Sequence, residues 1–230
     1  MVTSRCIPSS WSKRWTREIG SQCVSQELEK SLVWTINELL LNIPRVIGPP
    51  RSEMPVLIFT DGACEADCTS IGGVLITPSG RVECFGIELP KEIVDGWKKK
   101  ADQTQVIGQA ELLPVLVAKL TWQHEIEGRR AIYFIDNESA RLALVKAYSP
   151  VVSSLRIVCS CLKWDQDYKS QSWYARVPTF SNIADGPSRF EFTQCLKDLA
   201  AEIVVPKLDP SWAQGGVIEL GSLRTLHPLC

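Results

Sequence analysis

Apolar residues recur at helical spacing over residues 25–42, where Leu28, Leu32, Ile36, Leu39 and Leu40 mark one face of an amphipathic helix. The paired prolines Pro49-Pro50, within IPRVIGPPRSEMP, stop that pattern and predict a linker. From Pro55 the period changes. VLIFT is a short β-branched and aromatic run that predicts a buried strand, and IGGVLITPSGRVECFGIEL predicts two strands turning at Pro78-Ser79-Gly80. Residues 90–108 are polar and predict a loop or broken helix. Residues 109–125 are helical in spacing and apolar nearly all round, so they predict a buried helix. AIYFID predicts a strand, followed by a helix over 138–147 that Asn137 can cap. Pro150 can open the next helix, to about Asp165. WYARVP predicts the last strand and 187–203 a closing helix.

This order predicts a mixed α/β domain: a five-stranded sheet flanked by helices, with an antiparallel hairpin first and later strands parallel to the first. The expected organisation is an N-terminal extension over 1–54, the α/β domain over 55–205, and an irregular tail over 206–230.

Composition changes this picture little. With 45% hydrophobic and 22% charged residues among 230, the chain has enough apolar material for one good core. No apolar run is long enough to span a bilayer, so no membrane partner is expected. The net charge of −1 gives no global positive field, but acids at a site can offset basic contact residues in that sum. The first twenty residues carry Arg5, Lys13, Arg14 and Arg17 and no acid before Glu18, which reads as a basic terminus with a loosely transit-like composition. No secretory signal opens the chain. The nine cysteines therefore predict reduced intracellular thiols, and with two histidines and poorly fitting spacings they make a weak zinc set.

Four acids carry the chemistry. Asp61 ends the first strand in FTDGA, and Glu111 lies in the first turns of the buried helix. Asp136 ends the fourth strand in FIDNES, and Asp185 precedes the last helix in NIADGPSR. Singly, each has an ordinary role as a turn, cap or helix-end residue. Together they occupy strand ends and one adjacent helix, which converge on one edge of an open sheet. Carboxylates about 4 Å apart repel by roughly 4 kcal/mol at an effective dielectric of 20, so such a cluster takes up protons or binds cations. All-oxygen ligands suit Mg²⁺ or Mn²⁺. A pair of such ions is suited to phosphodiester hydrolysis.

The segments FTDGA, AELLP, IDN and VPTFSNIADGPSR resemble the ribonuclease H family, and most closely the ribonuclease H region of reverse-transcribing elements such as retrotransposons and hepadnavirus polymerases. The last segment is the most specific, because it fixes Val177, Pro178, Asn182, Ala184, Asp185, Pro187, Ser188 and Arg189 together. The likeness covers about residues 55–192. It implies that Asp61, Glu111, Asp136 and Asp185 bind two Mg²⁺ (or Mn²⁺) ions and that the RNA strand of an RNA–DNA hybrid is cleaved. It also implies a reverse transcriptase domain as a partner in cis or in trans. Asn137 and Arg189 are candidate substrate contacts, with Lys98, Lys99 and Lys100 as a basic run of the same kind. The sequence departs from cellular members of the family in having no histidine between His124 and His227, and no evident basic substrate-gripping helix. A catalytically idle module that binds nucleic acid or tethers a polymerase is the rival expectation.

Overall fold

The computed structural model describes residues 26–41, 54–65, 68–101 and 106–208. The basic terminus, most of the proline-rich linker and the tail beyond residue 208 lie outside the described residues. Two compact units divide the chain, Met1–Pro50 and Arg51–Cys230. In the first, the leucine-spaced segment forms helix α1 (Gln26–Leu41). No helix among the described residues is long and apolar enough to cross a membrane.

The second unit is built on one mixed sheet. Strands β1 (Val56–Cys64), β2 (Thr69–Ile76) and β3 (Val82–Glu88) form an antiparallel meander. The β2–β3 turn falls where Pro78-Ser79-Gly80 predicts it. Gly80 takes φ +84°, in the left-handed region, and its N–H donates to Thr77 O at 2.9 Å. Strands β4 (Arg130–Ile135) and β5 (Gln171–Arg176) follow helices and run parallel to β1, giving the order β5-β4-β1-β2-β3-β6. The sheet has six strands, one more than expected, because the two-residue β6 (Glu202–Ile203) pairs in parallel with β3.

Helices cover one face: α2 (Lys91–Ala101), α3 (Ile107–Thr121), the short α4 (Gln123–Ile126), α5 (Glu138–Lys146) and α6 (Val152–Asp167). The central α3 is apolar all round because it packs between the sheet and α6, and Leu112, Leu113, Leu116 and Val117 are all buried. It starts at Ile107, so Pro114 lies in its interior. Proline has no N–H, so the Ala110 carbonyl lacks its usual donor four residues on. A Cβ on Gly62 of β1 would land on that carbonyl, so only glycine lets the strand lie this close to α3. One buried charge ties α3 to its neighbours. Lys119 Nζ, fully buried, donates to Asp165 Oδ1 of α6 at 2.6 Å and to Ser172 Oγ of β5 at 2.7 Å. The pair fixes the placement of the helix that carries Glu111.

Two segments differ from expectation. Residues 91–101 form a regular helix, because Ile93, Val94 and Trp97 share one face and join the main core despite the polar residues between them. The expected closing helix over 187–203 is instead α7 (Asp185–Ser188), α8 (Thr193–Asp198) and β6. The chain breaks at Phe190 and Ala200, both with left-handed φ, of 62° and 48°. These breaks let Ala184, Cys195 and Ala201 follow the second face of the sheet, where they form a small core with Val74 and Cys84. A straight helix would lift part of that set off the sheet.

Helix α7 rests on β2 so closely that a Cβ on Gly72 would collide with the backbone of Pro187 and Ser188. Gly72→Ala is therefore expected to destabilise the domain by about 1–3 kcal/mol through overpacking. The check is a lowered urea midpoint at unchanged m-value.

Candidate metal centre

Asp61, Glu111 and Asp136 meet where the pairing of β1 with β4 stops; Asp61 does not end its strand as expected, because β1 runs on to Cys64 in its pairing with β2. The two strands are parallel and in register through Thr60↔Ile135, so the next residues, Asp61 and Asp136, lie side by side. Glu111 arrives from the first turns of α3, which lies over Gly62. One carboxylate oxygen from each residue lies within 4.8 Å of the others, and the three together can hold a metal ion. Asp61 and Glu111 are buried and Asp136 is partly buried.

The charges are uncomfortable in one another's presence. Burial pushes the Glu111 carboxyl up to about 8, with the Asp61 and Asp136 charges adding to it; bonds from the Asn137 side chain and the Gly62 backbone oppose the rise. Burial also raises Asp61, to about 6, helped by the Asp136 and Asp185 charges and opposed by the bond from Ser188. Glu111 Oε2 and Asp136 Oδ1 are buried without a hydrogen-bond partner. Orphaned carboxylate oxygens at one point are the signature of a site that accepts a cation.

Of the remaining expected residues, Asp185, Arg189 and Asn137 act on this triad. Asp185, the first residue of α7, is outside the group of three, but its charge acts on Asp61. Arg189 Nε donates to Asp185 Oδ1 at 3.2 Å, and its Nη1 lies 3.7 Å from Glu65 Oε1. Asn137 Oδ1 accepts from Ala140 N at 3.1 Å, capping α5, and its side chain is near enough to Glu111 to favour the ionised carboxylate. Lys98 is exposed on α2; the side chains of Lys99 and Lys100 lie outside the described residues.

No family model matches the chain, and no curated protein matches its sequence. Among solved structures, the chain is similar to ribonuclease H1 from the halophilic archaeon Halobacterium salinarum NRC-1, at 15% identity over 60% of this chain and 98% of that one, with a TM-score of 0.41. It is also similar to LC11-RNase H1 isolated from compost, at 12% identity over 62% of this chain and 99% of that one, with a TM-score of 0.43. A structure of LC11-RNase H1 in complex with RNA/DNA hybrid matches at 12% identity, with the same coverage and a TM-score of 0.40. These likenesses are remote.

Two residues of the site were legible only as part of a motif. Ser188 is fully buried, with its Oγ 2.5 Å from Asp61 Oδ2 and 2.8 Å from the Asp185 carbonyl. A hydroxyl has one proton to give. When Asp61 is ionised, Ser188 donates to it; when Asp61 is protonated, it donates to Ser188, which is then free to donate to the Asp185 carbonyl. Asn182 Nδ2 donates to Thr60 O at 3.2 Å and lies 3.4 Å from Asp61 Oδ1. The fixed spacing of Asn182, Asp185 and Ser188 was the available signal, but nothing in it told which acid they serve.

Ser188→Ala removes a donor to the ionised form, so the Asp61 carboxyl is expected to titrate higher than in the wild type. The lost buried bond should cost about 1–3 kcal/mol of stability. Carboxyl-carbon NMR titration of both proteins checks the shift, and an unmoved Asp61 would remove Ser188 from the site.

Proposed function

We propose that this chain is a divalent-metal-dependent endoribonuclease that hydrolyses the RNA strand of RNA–DNA hybrids, of the ribonuclease H type carried by reverse-transcribing elements. The observation that carries the proposal is the convergence of Asp61, Glu111 and Asp136 within 4.8 Å, with two of their buried oxygens unpartnered. At that separation each pair of ionised groups repels by roughly 3–4 kcal/mol at an effective dielectric of 20. All-oxygen donors fit Mg²⁺ or Mn²⁺. In the proposal these three residues and Asp185 hold two ions, and residues 55–205 are the catalytic domain. Such ions supply Lewis acidity and charge neutralisation for in-line attack of water on a phosphodiester.

The chain's own residues orient the acids. Ser188 and Asn182 hold Asp61 from one side of the sheet, while Asn137 and the Gly62 backbone hold Glu111 from the other. Asp185 is steered by Arg189. The RNA strand would be recognised through its 2′-hydroxyls and groove shape, with Lys98, Lys99 and Lys100 as candidate contacts to the backbone. The retroelement assignment is supported by VPTFSNIADGPSR, whose Asn182 and Ser188 both reach Asp61. A reverse transcriptase domain, in cis or in trans, is the partner that assignment suggests.

The test is hydrolysis of an end-labelled RNA–DNA hybrid in Mg²⁺ and in Mn²⁺, with and without EDTA, against single-stranded RNA and duplex DNA. Hybrid-specific, EDTA-sensitive cutting is expected. Hybrid binding with no cutting in either metal would make the chain an idle binding or tethering module.

A further inference from the structure

Beside the acids lies a cleft of about 720 Å³, and apart from Asn182 and Asp185 its lining has no part in the reaction proposed above. It adjoins the metal centre: Asn182, which reaches Asp61, and Asp185, whose charge acts on Asp61, both line the cleft. Phe180, Phe190 and the partly buried Phe192 line it, and the first two are exposed, Phe180 at 92% and Phe190 at 47%. Phe190 is held there at cost. Its φ of 62° is in the left-handed region that bulky residues avoid, and the turn is closed by Phe190 N–H to Pro187 O at 3.1 Å and Glu191 N–H to Gly186 O at 2.8 Å. A backbone so constrained, next to a candidate site, is where function is to be sought.

The charges of the cleft narrow its occupant. Among the described residues, Asp185, Glu191 and Asp198 line it with a single cation, Lys197. That lining repels a phosphate, but it accepts hydrogen bonds from exocyclic amino groups and sugar hydroxyls. Exposed aromatic rings bind unpaired bases by stacking, whatever their sequence. We propose that this cleft takes an unpaired nucleobase flanking the phosphate held at the acids, with Phe180 as the stacking platform and Phe190 as the second wall. The inference rests on the nuclease reading of the acids. It makes the preferred substrate a hybrid with an unpaired nucleotide next to the cleavage point, at a strand end or junction.

The test uses the full chain in Ca²⁺, a larger and less exacting ion than Mg²⁺ that can occupy the acids, and a hybrid with a three-nucleotide single-stranded extension carrying 2-aminopurine, whose fluorescence is quenched on stacking. One set of probes extends the RNA strand and another the DNA strand, which identifies the strand that supplies the base. Wild type should quench one set, and Phe180→Ala should lose the quench and bind that probe at least ~5-fold more weakly, the lower end of base–aromatic stacking. Phe180→Trp should restore both. Phe180 is almost wholly exposed, so the alanine variant should fold. In Mg²⁺, wild type should cut the extended hybrid faster than a blunt one, and Phe180→Ala should cut both alike. Equal quenching and equal cutting by wild type and Phe180→Ala would overturn the stacking site while leaving the nuclease intact. Quenching without any cutting in Mg²⁺ or Mn²⁺ would overturn the nuclease and leave the stacking site. An arginine-rich peptide whose binding depends on Phe180 and Glu191, with no Phe180 effect on the oligonucleotides, would overturn it in favour of a basic protein segment.

Discussion

Asp136→Asn should reduce hybrid cleavage by at least ~10³-fold, an effect of about 4 kcal/mol on the barrier, without unfolding the domain. Asp136 lies immediately after β4, and its partly buried carboxylate has one oxygen with no hydrogen-bond partner. The amide keeps the volume and removes the charge that would hold a cation, so the chemistry is lost while the packing stays. Hybrid affinity should hold or rise, because one negative charge facing phosphates has gone. Cleavage rate, hybrid affinity and circular dichroism of both proteins make the comparison. A folded mutant that cuts at the wild-type rate would take Asp136 out of the mechanism. The same change also relieves like-charge crowding, so in EDTA the mutant should melt above the wild type at neutral pH.

The second large effect is on stability. Glu111 and Asp61 titrate at about 8 and about 6 in the fold, against ordinary values of 4.5 and 3.8. Both are raised, so the folded protein keeps protons that the unfolded chain has already released. Stability is then fully present below about pH 4, and it is lost as pH rises through the two folded values. Each proton retained contributes a slope of about 1.4 kcal/mol per pH unit. For a domain of this size a loss of a few kcal/mol lowers the melting temperature by roughly 10 °C. Millimolar Mg²⁺ or Mn²⁺ should reverse the loss above pH 6, because a cation binds only the ionised cluster; at a hundred times its Kd it returns about 2.7 kcal/mol. Melting curves from pH 5 to 8, in EDTA and in Mg²⁺, make the test. A melting temperature that ignores both pH and metal would contradict a shared cation site. Glu111→Gln should flatten the slope between pH 6 and 8.

The sequence determined the elements that are local in origin. The β2–β3 turn was legible from Pro78-Ser79-Gly80, the α5 cap from Asn137, and the buried character of α3 from its unbroken run of apolar residues. Strand order was partly legible, because adjacent strands with a tight turn must be antiparallel and strands after helices parallel. The four acids were visible for a similar reason, since each stands beside an apolar stretch, although β1 continues past Asp61 to Cys64.

Only the tertiary structure decided what those acids do to one another. That Asp61 and Asp136 stand side by side depends on the parallel register of β1 and β4, whose paired residues lie 75 positions apart in the chain. That Asp185 stands apart from the group of three, with Arg189 on it, depends on how α7 settles on β2 over Gly72. The breaks at Phe190 and Ala200 were illegible because local propensity favours a continuing helix there. Burial of Cys195 and Ala201 against the second face of the sheet overrides it. The helix at 91–101 was hidden for the opposite reason: three apolar residues suffice once α6 is there to receive them, and no local signal announces a partner sixty residues away. Local order follows from propensity and spacing; the site follows from long-range packing, which alone sets the distances between charges.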